Sequence, residues 1–103
     1  MTYGVVVDVP APVEMYDTLH RELLRVTDGS VEGLLIHLGR ATADGFQVIE
    51  VWESKDQYDQ YNREVVWPLA ARLSEGQPSA GDLPVEQDFD VRGLVIPQAN
   101  IYI

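Results

Sequence analysis

Apolar side chains recur along the chain at two different spacings, and these spacings divide it into short strands and longer helices. Tyr3 to Val9 is rich in β-branched residues and ends at Pro10, which lacks the amide hydrogen that a further ladder bond needs, so we predict a first strand here. Pro12 stands where a first helical turn tolerates proline, and Asp28 with Gly29 supplies a stop. Between them, apolar residues at helical spacing predict a first helix: Met15, Leu19, Leu23 and Val26.

The next two apolar runs predict a β-hairpin. Gly33 to Arg40 and Phe46 to Trp52 flank a short connection, Ala41 to Gly45, which ends in Asp-Gly. Both strands carry apolar residues on both faces, which indicates a sheet that is covered on both sides. Two helices can cover only one face, so something else must lie on the other.

A second helix is predicted from Ser54, with Gln57 three residues later as the partner in a capping box. Pro68 interrupts it, because proline removes one helical hydrogen bond and clashes with the carbonyl four residues earlier. We therefore expect a kink or a restart near Trp67. The apolar stripe of this helix consists of Tyr58, Tyr61, Val65, Leu69 and Leu73.

The C-terminal part of the chain is predicted to hold a loop and one last strand. Glu75 to Pro84 contains two glycines and two prolines, which predicts a loop. Val91 to Ile96 is predicted as the last strand. For Gln98 to Ile103 we expect either a short extra strand or a tail exchanged with a partner. The order β-α-β-β-α-β predicts one α+β domain over residues 1–103, a ferredoxin-like sandwich.

Composition narrows the classes of function. Seventeen acidic residues against seven basic ones give a net charge of −10, which repels phosphate backbones and anionic lipid, so nucleic acid and membrane partners are not expected. With no cysteine, thiolate catalysis and cysteine-based metal sites are excluded. No leader-like segment and no run approaching the ~20 apolar residues of a membrane span is found, so a cytoplasmic protein is expected.

Two short runs and two tyrosines between residues 45 and 68 carry a resemblance to a known family. The run GFQVIEVWES (Gly45 to Ser54), then Tyr58 and Tyr61, and then VVWP (Val65 to Pro68), in the element order above, resembles the antibiotic biosynthesis monooxygenase-like (ABM-like) branch of the dimeric α/β-barrel superfamily. The resemblance covers almost the whole chain. Its most specific piece is Glu-x-Trp-x-Ser at the junction of strand and helix.

This resemblance implies a homodimer in which two four-stranded sheets face each other and the helices pack outside, forming a dimeric α/β barrel. It also implies a cavity between sheet and helices in each subunit. In catalytic members this cavity oxidises aromatic polyketide-like substrates with dioxygen and no metal or flavin, whereas many relatives have no established activity. We therefore expect a hydrophobic or aromatic small-molecule ligand and no cofactor. In its catalytic form such a domain is a cofactor-independent monooxygenase. The alternatives are a non-catalytic structural or regulatory dimer without a ligand cavity, and a protein-interaction module that uses the kink at Trp67 and Pro68 as an exposed anchor.

Glu50 is the first candidate for chemistry. It shares one strand face with Phe46, Val48 and Trp52, because residues two apart on a strand point the same way. Apolar surroundings disfavour the ionised carboxyl and suit it to proton transfer. The alternative is a structural glutamate that is hydrogen-bonded at a dimer interface or helix edge.

The aromatic residues are candidates for the wall of a ligand cavity. Trp52 and Tyr58 match positions that line the cavity in catalytic members of the resembling family, although such a pair also fills a core well. We also place Tyr61 and Val48 at the cavity. Many members of the resembling family have a histidine at the position of Tyr61. A phenol with its ordinary pKa of ~10 is a poor base at neutral pH, so Tyr61 does not replace such a histidine as a base. Haem-degrading members need a histidine ten residues after a helical tryptophan, a place that Gln77 occupies here.

His37 lies among apolar residues of a strand, where an unpaired ring is costly. If the hairpin turn has an even number of residues, His37 joins the face of Glu50 and the two could form an acid–base couple; otherwise it faces away. His20 is expected at the solvent edge. Two distant histidines without clustered carboxylates predict no metal site. A ligand-binding function requires His37, Glu50, Trp52 and Tyr58 to border one pocket, whereas a filled interior favours the structural alternative.

Overall fold

A computed structural model describes residues 2–73 and 84–103 of the chain. The elements, in chain order, are β1 (Tyr3–Val9), α1 (Val13–Thr27), β2 (Leu34–Ala41), β3 (Phe46–Trp52), α2 (Lys55–Tyr61), a π-helical turn (Asn62–Val66), α3 (Trp67–Leu73), β4 (Val85–Asp90), β5 (Val95–Ile96), a 3₁₀ turn (Pro97–Ala99) and β6 (Ile101–Tyr102). The predicted α+β architecture is confirmed.

One antiparallel sheet organises the molecule. Its strands lie in the order β2-β3-β1-β4, while β5 and β6 form a separate two-stranded hairpin. Side chains of α1 and α2 contact the same face of the sheet: Tyr16 lies against His37 and Tyr58 against Trp52. The buried core lies between this face and the helices, with Val5 and Trp52 fully buried at its centre.

The local signals that predicted the first half are visible in the structure. Asp28 adopts a left-handed conformation, with φ 55°, at the end of α1, and Gly29 follows with φ 74°. The Ser54 side chain accepts a hydrogen bond from the Gln57 amide at the start of α2, which confirms the predicted N-cap. Ala41 pairs with Phe46, so the hairpin turn between them has an even number of residues.

The predicted interruption before Pro68 takes the form of a π-helical turn. Pro68 has no amide hydrogen for the carbonyl of Glu64, and the Trp67 amide instead donates to Asn62 five residues earlier. Trp67 is 62% exposed in the subunit. Within the two ranges that the structure describes, none of the helices has the length and apolar character to span a bilayer.

The prediction of the last strand is wrong. The fourth strand of the sheet is Val85–Asp90, and Val95 with Ile96 instead pairs with the tail in the small hairpin. The strand was not predicted because three carboxylates interrupt its apolar pattern: Glu86, Asp88 and Asp90. These charged side chains are compatible with β4 because it is an edge strand whose residues are exposed to water. The extra strand expected within Gln98 to Ile103 is present as Ile101–Tyr102. The predicted loop, Glu75 to Pro84, lies outside the described residues except for Pro84.

The sheet face away from the helices carries an apolar surface. Two rows of paired residues cross it, one through Leu38, Ile49 and Val6 and the other through Ile36, Val51, Gly4 and Phe89. Leu38 is 52% exposed and Phe89 is 41% exposed. We call these two rows the bare face.

Candidate functional site

The centre of the candidate site is the carboxyl group of Glu50, buried on the helix side of β3. Its Oε2 atom lies 2.6 Å from Nδ1 of His37, and its Oε1 atom accepts a hydrogen bond of 3.1 Å from Nε1 of Trp52. His37 stands directly opposite Glu50 in the β2–β3 ladder, so the strand register brings the pair together. Both carboxylate oxygens therefore have partners, as a buried charge requires.

The second ring nitrogen of His37 is also occupied. The hydroxyl of Tyr16 on α1 lies 2.8 Å from Nε2 of His37. With Glu50 ionised and the His37 ring neutral, the single ring proton lies on Nδ1, because a carboxylate only accepts hydrogen bonds. Nε2 is then the acceptor for the Tyr16 hydroxyl. Three side chains thus form one directional chain, in which Tyr16 donates to His37 and His37 donates to Glu50.

Gly39 on β2 makes this chain possible. A Cβ atom built at Gly39 would overlap the Tyr16 ring, so only glycine leaves room for the ring to lie over the strand. The Tyr16 ring also contacts Phe46, with centroids 5.5 Å apart. Together these contacts fix the first turns of α1 against the β2 edge of the sheet.

His20 completes a cluster of three rings. Its ring lies nearly parallel to that of His37, with centroids 5.3 Å apart, and is stacked at the same centroid distance on Tyr16. The expectation of a solvent-edge position for His20 is thus only partly correct, because the residue is half-buried above His37.

Aromatic residues surround Trp52 on the side away from His37. Tyr58 meets the indole edge-on at 5.8 Å, and Tyr61 lies 5.4 Å from it. The Tyr58 hydroxyl donates to Glu86 on β4 at 3.0 Å, which ties α2 to the far edge of the sheet. Trp52 has no exposed surface, so in this subunit it packs as a core residue.

The tyrosines of the site are held in the neutral form. Burial, with the nearby Glu50 charge as a second cause, raises the pKa of Tyr61 to about 12. Burial and then the Glu50 and Asp17 charges raise the pKa of Tyr16. For Tyr58, burial and the hydrogen bond to Glu86 raise the pKa further. At neutral pH these phenols keep their protons and can donate hydrogen bonds, which the proposed direction of the chain from Tyr16 needs.

Two cavities adjoin the site. One, of about 250 Å³, lies between the C-terminal end of α1 and the second helical region and is lined by Thr27, Val31, Gln57, Tyr61, Glu64 and Val65 among others. The other, of about 730 Å³, lies between β2 and β5 and reaches His37. Neither of these two cavities is lined by Glu50, Trp52 or Tyr58, because the space beside them is filled by their own side chains. The expected common pocket is not found in either one.

The underside of α1 is nevertheless incompletely packed. The side chains that this helix turns towards the sheet are half-buried, and no residue of α1 is fully buried: the stripe consists of Tyr16, Leu19, His20, Leu23 and Thr27. Its N-terminal end holds the Tyr16–His37 hydrogen bond, and its C-terminal end opens into the cavity that Tyr61 lines. We call this stripe with the facing sheet surface the α1 underside.

The structure brings most of the sequence-derived candidates together. His37, Glu50 and Trp52 form one hydrogen-bonded group, Tyr58 and Tyr61 pack around Trp52, and Val48 lies on the same strand face. Sequence reasoning missed Tyr16 and the ring of His20. Their spacing of four residues, in phase with Leu19 and Leu23, is a signal that they share the inward face of α1.

No group of three or more metal-ligating side chains that could hold a metal ion is present among residues 2–73 and 84–103. The two histidine rings are stacked face to face instead of converging on one point.

Comparison with solved structures identifies the fold. Similar chains include a candidate antibiotic biosynthesis monooxygenase from Caulobacter crescentus (19% identity, TM-score 0.68, 87% of this chain and 89% of that chain covered) and Rv0793 from Mycobacterium tuberculosis (13%, 0.62, 88% and 95%). A third is SnoaB, a cofactor-independent oxygenase from Streptomyces nogalater (16%, 0.58, 93% and 95%). The chain therefore has the ABM-like fold. No family model matches the sequence, and no curated protein matches it either.

The raised pKa of Tyr61 predicts a loss of stability in alkali. Between pH 10 and 12 the unfolded phenol loses its proton while the folded one keeps it, so the free energy of unfolding falls as pH rises through this window. In Tyr61→Phe this contribution is absent, and its unfolding free energy should fall less steeply over the same window. Urea titrations at pH 9, 10, 11 and 12, compared with those of Tyr102→Phe on the exposed C-terminal hairpin, measure the difference. Equal slopes for the wild type and Tyr61→Phe would contradict the assignment.

Proposed function

We propose that this protein is a homodimeric domain that binds a hydrophobic or aromatic small molecule at the α1 underside and acts on it as a cofactor-independent monooxygenase. Because Glu50, Trp52 and Tyr58 line neither of the two cavities, the proposal places the ligand at the α1 underside and not in the common pocket expected from the sequence. The observation that carries the proposal is a hydrogen-bonded His37–Glu50 pair, withdrawn from solvent, beside a helix whose inward side chains are only half-buried. A hydrogen-bonded acid–base pair next to apolar side chains that are not fully packed is typical of sites that bind and transform small molecules. We place this dimer in the cytoplasm.

The dimer is supported by the bare face. Monomeric proteins seldom expose large apolar patches without a function. Leu38 and Phe89 are exposed at opposite edges of the bare face, and Ile36, Ile49 and Val6 on the same face are half-buried. A second copy offers the same apolar surface, so a two-fold arrangement lets each sheet cover the other. Such a pair would form the dimeric α/β barrel that the resemblance implies.

Replacing a bare-face leucine with glutamate tests the dimer. In Leu38→Glu, an unpaired carboxylate would be buried in the interface, and we expect the dissociation constant of the dimer to rise about 100-fold or more. Sedimentation of the wild type at micromolar concentration should give twice the subunit mass of 11.5 kDa.

Leu24→Glu is the matched control, because Leu24 is 49% exposed, close to the 52% of Leu38, but lies on α1 on the other side of the sheet. It should leave the dimer intact. A wild type that is a well-folded monomer at micromolar concentration would refute the barrel.

The proposed chemistry begins with proton removal. The buried pair accepts a proton from an acidic C–H or O–H bond of the ligand, and the electron pair of that bond stays on the ligand. The resulting electron-rich anion then reacts with dioxygen at the α1 underside, beside the packed aromatic cluster of Trp52, Tyr58 and Tyr61. With an excess of acidic side chains over the whole protein, a ligand that arrives neutral and loses its proton in the site is favoured over an anion.

Oxygen uptake tests this chemistry. Anthrone, a tricyclic aromatic with an acidic C–H bond, is a suitable probe, and the wild type should accelerate its oxidation to anthraquinone over buffer alone. Glu50→Gln should lower the rate about 100-fold or more, because it removes the charge that stabilises protonated His37.

The control is Glu22→Gln, which removes a carboxylate from the exposed Glu22–Arg25 pair on α1 and should keep the rate of the wild type. Oxidation at the buffer rate in the wild type, across tricyclic probes with an acidic C–H or phenolic O–H bond, would contradict the catalytic function.

A second candidate, a non-catalytic structural or regulatory dimer, is favoured by the complete burial of Trp52 and Val5. In this case the side chains of the protein fill its interior, and no cavity is left for an aromatic ligand. Titration of the Trp67→Phe variant, which leaves Trp52 as the single tryptophan, with anthraquinone decides between the two. Quenching of the Trp52 fluorescence at saturable ligand concentrations supports the ligand-binding function, and no change supports the structural dimer.

A further inference from the structure

The geometry of His37 places a constraint on how any ligand could exchange a proton with it. Both ring nitrogens are engaged, Nδ1 with Glu50 at 2.6 Å and Nε2 with Tyr16 at 2.8 Å. A ligand cannot reach either nitrogen without displacing one of these partners. Direct proton transfer from ligand to His37 would therefore break the network that positions the ring.

We infer that Tyr16 is the group that meets the ligand, and that Tyr16, His37 and Glu50 act as a catalytic triad in which the tyrosine oxygen is the outer end. The order of the hydrogen bonds matches the hydroxyl–imidazole–carboxylate triads that activate a hydroxyl group in unrelated folds. This inference rests on the function proposed above, since it assigns the proton-transfer step of that site to a residue outside the His37–Glu50 pair.

The proton transfer balances without any further reactant. The Tyr16 oxygen takes the proton of the ligand's C–H or O–H bond while the Tyr16 hydroxyl proton passes to Nε2 of His37. The bonding electron pair stays on the ligand, Tyr16 is neutral again, and His37 becomes an imidazolium that the Glu50 carboxylate stabilises. No electron is transferred in this step.

The surroundings of Tyr16 fit this role. Tyr16 is half-buried at the N-terminal end of the α1 underside, the region to which the proposed function assigns the ligand. Its ring is held from three sides, by His20, His37 and Phe46, and Gly39 leaves the room that the ring needs. A hydroxyl fixed in this way is preorganised for proton transfer.

The alternative role of Tyr16 is purely structural, a hydrogen bond that fastens α1 to β2. Tyr16→Phe separates the two roles, because it keeps the ring and its stacking and removes only the hydroxyl. For the triad, we expect oxidation of anthrone to slow about 100-fold or more, with the KM little changed. For the structural role, the rate should stay within about threefold of the wild type while the melting temperature falls.

Gly39→Ala provides a second variant that leaves the hydroxyl in the protein but displaces it from His37. It should slow the oxidation to a similar extent if the hydroxyl must lie on Nε2. Tyr102→Phe is the matched control for loss of a tyrosine hydroxyl, since Tyr102 lies exposed on the C-terminal hairpin, and it should keep the rate of the wild type. A Tyr16→Phe protein with the full rate would overturn the inference.

A nitrogen-15 NMR spectrum of the histidine rings tests the triad independently of turnover. The triad requires that neutral His37 carries its proton on Nδ1 and that its unprotonated Nε2 accepts a hydrogen bond. In Tyr16→Phe this hydrogen bond is absent, so the Nε2 resonance should shift. The signals that disappear in His37→Gln are those of His37. A proton on Nε2 would reverse the direction of the chain and overturn the inference. If the wild type does not oxidise anthrone but His37 carries its proton on Nδ1, the failure belongs to the proposed oxygenase function; the order of the hydrogen bonds then holds, and the catalytic role of Tyr16 is overturned together with that function.

Discussion

A buried carboxylate on the central strand pair sets the constraint on which the rest of the site depends. Withdrawing the Glu50 charge from water is costly unless both oxygens are paired. His37 supplies one partner from the neighbouring strand, and Trp52 supplies the other from two residues along the same strand. The pairing holds the β2–β3 register on the core side, since a slip of one residue would turn His37 to the bare face and leave Glu50 without it.

The same constraint extends into the helices. Nδ1 of His37 donates its hydrogen bond to Glu50, so the unprotonated Nε2 needs a hydrogen-bond donor. The hydroxyl of Tyr16 on α1 is that donor. Trp52, held by its bond to Glu50, offers its faces and edges to Tyr58 and Tyr61 and so positions the second helical region. The Glu50 carboxylate is therefore linked to β2 and α1 through His37 and to the second helical region through Trp52. This explains how a domain with few fully buried residues keeps a defined interior.

The sequence predicts those parts of the fold that depend on residues close together in the chain. The hairpin follows from apolar alternation and a short turn, and the ends of α1 and α2 follow from Asp28 and Ser54. From the sequence, the His37–Glu50 pair could be predicted only on the condition that the hairpin turn has an even number of residues. The pairing of Ala41 with Phe46 in the structure meets this condition. The fourth strand was missed because Glu86, Asp88 and Asp90 break the apolar pattern, and only an edge position makes such a strand acceptable. The phase of Tyr16 with Leu19 and Leu23 indicates the inward face of α1, but its contact with His37 depends on how α1 packs over the sheet, which spacing within the helix does not specify.

The most direct test of the central constraint is the coupling free energy between Glu50 and His37, from urea unfolding of the wild type, Glu50→Ala, His37→Ala and the double variant at one protein concentration. Each single change leaves a buried polar group without its partner, so the account predicts that the double variant is less destabilised than the sum of the two by about 1 to 3 kcal/mol. Effects that add to within about 0.5 kcal/mol would show that the pair does not hold the site together.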